Sequence, residues 1–184
     1  MVSLRQLCWR LLETSVATEV NVFDFDDTLV RTTSSVYLTT HDGRSVKLTS
    51  HEFMEYDQQP GDQFDFSDFQ QVINPTPIAH MVLKLQYAIR SLGHDNVFVL
   101  TARDNATPIR DFLSELGVDG IRVLALGNSD PLAKAAVIKN EILSRDVKLV
   151  RYYDDAPKYL VAVRNLKQDP SIPRDVQIIV SRVK

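Results

Sequence analysis

The stretch VNVFDFDDTLV, residues 20–30, decides the fold because a short apolar run ends there in a cluster of aspartates. The run from Val20 to Phe25 is typical of a strand buried inside a parallel sheet. In such sheets, ligands bind beyond the carboxyl ends of the strands. Asp24 and Asp26 are two residues apart, so in an extended chain they project to the same side. The sequence therefore predicts that both carboxylates face one site at the end of the first strand.

Two later apolar runs also end in polar residues of the kinds that catalysis uses. Residues 97–100 precede Thr-Ala-Arg-Asp at 101–104, and residues 147–153 precede an Asp-Asp pair. Neighbouring carboxylates repel one another and are costly to bury unless a cation neutralises them. Magnesium prefers hard oxygen ligands, so Asp24 and Asp154 are predicted to bind Mg²⁺ if their strands are neighbours.

Helical segments separate the predicted strands along most of the chain. The apolar spacing and the Pro and Gly boundaries predict helices that start at Thr76-Pro77, Thr107-Pro108, Asp130-Pro131 and Pro157. Further strands are predicted at 121–126 and 176–180. Strands that alternate with helices of this length indicate right-handed βαβ units and a parallel sheet covered on both faces. The predicted fold is therefore a three-layer, Rossmann-like α/β domain.

The ends of this domain follow from the same patterns. Leu4, Leu7 and Leu11 recur at helical spacing, which predicts an amphipathic helix over residues 3–17. We therefore assign residues 1–18 to a helix that packs on the core and residues 19–184 to the α/β domain.

Residues 31–76 depart from the alternation and are predicted to form an insert over the site. Two β-type runs flank Asp42-Gly43, which indicates a hairpin whose two turn residues both need positive φ. Residues 49–56 are predicted to form a short helix, with Glu52 completing a capping box. An acidic loop follows that carries three phenylalanines, at positions 64, 66 and 69. These rings either anchor the loop to the core or stack on a base.

Composition narrows the classes of protein that the chain can belong to. It has 184 residues, a formal charge of −3 and one cysteine, Cys8, so it has no internal disulfide and fits a reducing compartment. No apolar run approaches the roughly 20 residues that span a bilayer. The N-terminal residues lack the uninterrupted apolar core of a signal peptide, so a cytoplasmic location is predicted. The charge also argues against stable binding to long nucleic acid.

Four stretches resemble the motifs of the haloacid dehalogenase superfamily, in the superfamily's order. VFDFDDTLV (22–30) is similar to the first, a strand followed by Asp-x-Asp-x-Thr, and VFVLTAR (97–103) to the second. DPLAKAAVIKNEI (130–142) resembles the third, and VRYYDDAPKYL (150–160) the fourth. Within the superfamily, the chain resembles the 3′-phosphatase domains of phage polynucleotide kinases. It lacks their kinase phosphate loop, GxxxxGK[ST], so the resemblance implies no kinase activity.

The resemblance implies a Mg²⁺-dependent phosphomonoester hydrolase with an aspartyl-phosphate intermediate. Asp24 is then the nucleophile, Asp26 donates a proton to the leaving oxygen, and Thr101 and Lys134 bind the phosphoryl group. Lys139 is the alternative lysine, but Lys134 lies in the first helical turn, nearer the strand ends.

The resemblance also implies a metal site and further substrate contacts. Mg²⁺ is expected on the Asp24 carboxylate, the Asp26 carbonyl and Asp154, with Asp155 acting through water. Thr28, Arg103 and Asp130 are the expected substrate-binding residues. An aspartate at position 27, where that phosphatase has glycine, departs from the pattern.

Several of these residues have a purely structural alternative. Asp155 and Asp130 each precede a predicted helix and are also suited to capping it. Arg103 either binds phosphate with its planar fork or pairs with Asp104.

The expected substrate is a phosphorylated small molecule, a nucleotide or a 3′-phosphorylated oligonucleotide end. Two other functions remain open. One is a receiver-like domain that accepts phosphate, although the third strand ends in Gly127-Asn128 rather than in an acceptor aspartate. The other is a catalytically silent binding module on the same fold.

Overall fold

The computed structural model describes residues 18–184. The helix predicted over residues 3–17 lies outside the described residues. Within them, no helix combines the length and apolar character that crossing a bilayer requires.

The described residues form ten strands and five α-helices, joined by short turns. The strands are β1 (Thr18–Phe23), β2 (Val30–Arg31), β3 (Ser35–Thr39), β4 (Ser45–Thr49), β5 (Gln63–Asp65), β6 (Thr76–Pro77), β7 (Val97–Thr101), β8 (Arg122–Ala125), β9 (Val147–Asp154) and β10 (Gln177–Arg182). The helices are α1 (Ser50–Glu55), α2 (Ala79–Leu92), α3 (Thr107–Glu115), α4 (Pro131–Arg145) and α5 (Pro157–Asn165).

Five parallel strands form the central sheet, in the order β10-β9-β1-β7-β8. Helices flank it on both sides, as the alternation of strands and helices predicts. Alternate side chains of β1 enter different cores: Val20 and Val22 pack with α4 and α5, whereas Phe23 packs with α2 and α3. Because both faces are covered, the strands are nearly continuous apolar runs. The α/β architecture with a parallel sheet is therefore confirmed.

The strand order makes β1 and β9 neighbours, which the sequence patterns alone do not specify. The chain leaves β1 toward β7 and β8 on one side, then returns to β9 and β10 on the other. Such a switch in direction opens a crevice at the carboxyl ends of the two strands. The Asp24 amide donates to the Tyr153 carbonyl at 2.9 Å, which aligns Asp24 with Asp154 across this crevice.

β1 ends at Phe23, two residues before the end of the strand that the sequence predicts. The chain turns there, and the amides of Thr28 and Leu29 both donate to the Phe25 carbonyl. Asp27 takes a left-handed φ of 54° in this turn. Glycine adopts that conformation most readily and aspartate tolerates it, which accounts for aspartate at a position where glycine also fits.

The segment 31–76 folds as a small antiparallel unit beside the carboxyl ends of the sheet. The chain leaves the α/β domain through β2 and returns to it through β6, and these two strands pair with each other. Between them in the chain, β3, β4 and β5 form a second sheet in the order β4-β3-β5. We call residues 31–76 the insert. Its own small core consists of Val36, Leu38, Leu48 and Phe53.

Two details of the insert differ from the sequence expectation. Of the two predicted turn residues, only Gly43 has a positive φ, since the hairpin closes through a three-residue loop, 41–43, rather than a two-residue turn. Thr76-Pro77 forms β6 instead of opening a helix, and α2 begins at Ala79. The capping box is confirmed: Thr49 and Glu52 exchange hydrogen bonds at the start of α1.

Candidate functional site

A buried lysine bridges the two aspartates at the crevice. Lys134 Nζ lies 2.6 Å from Asp24 Oδ1 and 2.8 Å from Asp154 Oδ2. Lys134 lies in the first turn of α4, which begins at Pro131. Lys139, the alternative lysine, instead pairs with Asp169 away from the crevice. The Lys134 side chain is 1% exposed and that of Asp154 is fully buried. Burial of an unpaired charge is costly, so the ion pairs of Lys134 offset part of the cost of burying these groups.

Asp154 is further held by hydrogen bonds to both of its oxygens. Oδ1 accepts from the Ala156 amide at 2.9 Å, and Oδ2 accepts from the Tyr152 hydroxyl as well as from Lys134. Asp24 differs, because only its Oδ1 has a hydrogen-bond partner within residues 18–184. The other oxygen, Oδ2, is therefore available to a ligand in the crevice.

The donor set fits a hard divalent cation. Asp24, Asp154 and Asp155 each offer a carboxylate oxygen, and the three oxygens lie within 4.8 Å of one another. All are oxygen donors of the kind that Mg²⁺ prefers. Asp155 does not cap α5, whose N-cap residue, Ala156, has no side-chain hydrogen bond. This leaves its carboxylate free for the cluster.

The environments of Asp24 and Asp155 oppose the ionisation of their carboxyl groups. Burial, followed by the charges of Asp154 and Asp27, raises the pKa of Asp155 from 3.8 to about 6. Burial also raises the pKa of Asp24, and the charge of Lys134 opposes that rise. The two carboxylates that it bridges raise the pKa of Lys134, which keeps it protonated. An additional cation would relieve the remaining excess of negative charge.

Arg103 forms a bidentate salt bridge with Asp26. Its Nε and Nη2 donate to the two Asp26 oxygens at 2.9 and 2.7 Å, and the guanidinium is nearly fully buried. Nη1 donates to the carbonyls of Phe69 and Gln71 in the insert, at 3.1 and 2.5 Å. The pairing with Asp104 considered from the sequence is absent, since Asp104 accepts from Gln70 instead. Arg103 therefore links the Asp26 carboxylate to the position of the insert.

One cavity of about 490 Å³ connects these groups. The sheet side contributes Asp24, Asp26, Thr101, Arg103, Lys134 and Asp155. The insert contributes a second wall that includes Phe53, Phe66 and Phe69. Six of the predicted site residues thus line one cavity, while Asp154 lies buried behind them.

Two predicted substrate-binding residues are placed differently. Thr28 is fully buried, does not line the cavity, and its hydroxyl has no hydrogen-bond partner among residues 18–184. Asp130 is exposed and caps α4 by accepting from the Leu132 amide at 2.9 Å. It also does not line the cavity. Their roles in binding stay predictions, and the capping role considered for Asp130 is confirmed.

The sequence reasoning missed several groups that belong to the site. Tyr152 could have been found, because it lies two residues before Asp154 on the same strand and so on the same side. Lys158 and Arg182 line the cavity from α5 and β10. Arg182 follows the last apolar run and donates to the Asp155 carbonyl at 3.2 Å. Nothing in the sequence shows that β10 lies close enough to reach it.

No family model, curated protein or solved structure matches the chain. The assignment of the site therefore depends on its geometry and on the four sequence motifs.

The raised pKa of Asp155 predicts how magnesium affects stability. A cation binds the ionised carboxylate, so Mg²⁺ should raise the melting temperature by a few degrees at pH 7.5 and by clearly less at pH 5. In metal-free protein this group lowers stability as pH rises from about 4 to 6, because the folded state then has to hold a charge that burial disfavours.

Calorimetry with Mg²⁺ or EDTA at both pH values measures this effect. Asp155→Asn should remove most of the difference between the two pH values. A magnesium shift that is absent, or that is larger at pH 5, would contradict the metal assignment.

Proposed function

We propose that the chain is a Mg²⁺-dependent phosphomonoester hydrolase of the haloacid dehalogenase type, with Asp24 as nucleophile. The main support for the proposal is the hydrogen bonding and the surroundings of the Asp24 carboxylate. One of its oxygens is fixed by Lys134 and the other is free. Two further carboxylates lie beside it, that of Asp155 on the wall of the cavity and that of Asp154 buried behind it. Phosphoryl transfer needs such a positioned nucleophile together with neutralisation of the phosphate charge.

The reaction takes two displacements at phosphorus. In the first, an Asp24 oxygen forms a bond to phosphorus as the ester oxygen leaves with its electron pair and takes a proton from Asp26. In the second, Asp26 accepts a proton from a water molecule, which attacks the acyl phosphate. Inorganic phosphate leaves and the Asp24 carboxylate is restored.

Positive charge from the protein supports both steps. Lys134 orients Asp24, and its charge, together with that of Arg103, offsets the negative charge of the phosphoryl oxygens. Thr101 is buried at the end of β7 and lines the cavity, and its hydroxyl would bind the same oxygens. Asp24, Asp154 and Asp155 would hold Mg²⁺, which when bound reduces the repulsion between the anionic nucleophile and the phosphate.

The salt bridge between Arg103 and Asp26 is part of this proposal. Both oxygens of Asp26 are occupied by the guanidinium, so proton exchange requires at least one of them to leave it. A phosphate group that enters the cavity offers Arg103 an alternative anion. The sequence leaves two partners open for Arg103, a phosphate group or Asp104. In the structure its partner is Asp26 instead, and its binding of phosphate is part of this proposal.

The experiment that tests the function is magnesium-dependent release of phosphate from a panel of monoesters. The panel contains p-nitrophenyl phosphate, nucleoside monophosphates and 3′-phosphorylated oligonucleotides. We expect turnover with Mg²⁺ that stops in EDTA. A folded protein that hydrolyses none of these would contradict the proposal and favour the silent binding module.

Arg103→Lys should lower kcat/KM by at least about tenfold, because lysine cannot form the two-pronged bridge to Asp26. The loss should be larger for an alkyl phosphate than for p-nitrophenyl phosphate, since only the poor leaving group depends strongly on the proton from Asp26. Steady-state kinetics on both esters measures it. Arg90→Lys, an exposed change on α2, is the matched control. Equal losses on the two esters would contradict the positioning of Asp26 by Arg103.

A further inference from the structure

The wall of the cavity that faces the proposed phosphate site is aromatic. Phe53 comes from α1, and Phe66 and Phe69 come from the loop and turn after β5. Their rings contact one another edge to face, with centroids 5.2 Å apart for Phe53 and Phe66 and 6.4 Å apart for Phe66 and Phe69. The three rings therefore form a continuous aromatic surface in the cavity that Asp24 and Asp26 also line.

Among these three rings, Phe66 stands out because packing within the insert leaves much of its side chain exposed. It is 42% exposed, whereas Phe53 is 9% exposed. Phe69 is already covered on one side, because the Arg103 guanidinium lies 5.0 Å from its ring centroid. A large apolar side chain exposed inside a cavity gains stability when a ligand covers it. Its position beside the proposed phosphate site makes that ligand the group attached to the phosphate.

The charges of the cavity limit how many phosphates a substrate can carry. Six carboxylates and four Lys or Arg side chains line it, and three of those carboxylates, Asp27, Glu55 and Asp104, lie outside the groups proposed to act on phosphate. Lys158 and Arg182 lie outside those groups as well, so this remainder of the lining has one more acidic than basic side chain, which disfavours a further phosphate. The cavity volume, about 490 Å³, lies in the range that holds a small ligand.

We propose that Phe53, Phe66 and Phe69 bind a planar aromatic group, so that the substrate is a small monoester with one phosphate and one aromatic ring system. This inference rests on the proposed function and narrows its substrate class. It favours a free mononucleotide or aryl phosphate and disfavours an oligonucleotide end, whose phosphodiester links add negative charge. Both favoured substrates share the ring that would stack on Phe66.

Binding measurements on the Asp24→Asn protein test the proposal without interference from turnover. Calorimetry with Mg²⁺ compares phenyl phosphate with methyl phosphate, which differ in the ring alone. We expect phenyl phosphate to bind at least about tenfold more tightly, in line with typical aromatic stacking. Phe66→Ala should reduce this ratio to near one, and Phe66→Tyr should keep most of it. Tyr87→Ala removes an exposed aromatic side chain outside the cavity and should leave the ratio unchanged.

The outcomes separate this inference from the function on which it rests. A ratio near one in Phe66-containing protein, or an unchanged ratio in Phe66→Ala, overturns the aromatic site even if the wild type hydrolyses phosphomonoesters. Failure of both esters to bind, together with no turnover by wild type, overturns the function and the inference together.

A further comparison tells the two aromatic sources apart and tests the charge argument. Adenosine monophosphate that binds more tightly than phenyl phosphate identifies a nucleobase as the ring, whereas the reverse order identifies a simple aryl group. A 3′-phosphorylated dinucleotide should bind more weakly than the mononucleotide. Equal or tighter binding of the dinucleotide would overturn the limit to one phosphate.

Discussion

Asp24→Asn is expected to lower phosphomonoester turnover by at least about a thousandfold while the protein stays folded. The amide cannot form the acyl phosphate, and loss of a nucleophile in covalent catalysis typically costs several orders of magnitude. Stability should not fall comparably, because burial disfavours the Asp24 charge and Lys134 keeps its second partner, Asp154. Steady-state phosphate release and urea unfolding measure the two effects.

The matched control is Asp111→Asn, the same chemical change at an exposed position on α3 that does not line the cavity. Its turnover should equal that of wild type. An Asp24→Asn protein that is folded and retains more than about a tenth of wild-type turnover would contradict the assignment of the nucleophile.

Lys134→Met is expected to destabilise the metal-free protein by about 3–5 kcal/mol, which is typical when one partner of a buried ion pair is removed. The change leaves two buried carboxylates, Asp24 and Asp154, without their shared cation. The loss should be smaller at pH 5 than at pH 8, since protonation of a carboxyl relieves the same repulsion. Added Mg²⁺ should recover part of it, because a bound cation restores positive charge to the cluster.

Urea unfolding in EDTA and in Mg²⁺, at both pH values, measures these effects. Lys139→Met is the control, because its ion pair with Asp169 is partly exposed and should contribute much less to stability. Equal losses for the two lysine variants would contradict the idea that Lys134 neutralises the buried acids.

The parallel sheet and the residues at its carboxyl edge follow from local sequence patterns. Each apolar run is short, bounded by turn residues and followed by polar groups, so the end of each strand can be assigned to within about two residues, as with β1, which ends at Phe23 rather than at Phe25. The strand order cannot, because the patterns do not show which strands pair. That β9 lies beside β1, which brings Asp154 to Asp24, depends on packing between residues more than 100 positions apart.

In and around the insert, only contacts between residues that are close together in the chain could be predicted from the sequence. The capping box of Thr49 and Glu52 is a contact between residues three apart and was predictable for that reason. The bridge from Arg103 to Asp26 joins residues 77 positions apart, so sequence spacing gives no sign of it. The phenylalanines of the acidic loop differ in burial for a similar reason. Phe64 and Phe69 pack against the insert core, while Phe66 stays exposed in the cavity.

The central claim is that the Asp24 carboxylate carries the phosphoryl group during turnover. Rapid acid quenching of wild-type protein mixed with Mg²⁺ and a phosphomonoester, followed by mass spectrometry of its peptides, tests this most directly. The account predicts phosphate on Asp24 that forms and decays at least as fast as overall turnover, and none in Asp24→Asn. Sustained turnover with phosphate on a different residue would contradict the account.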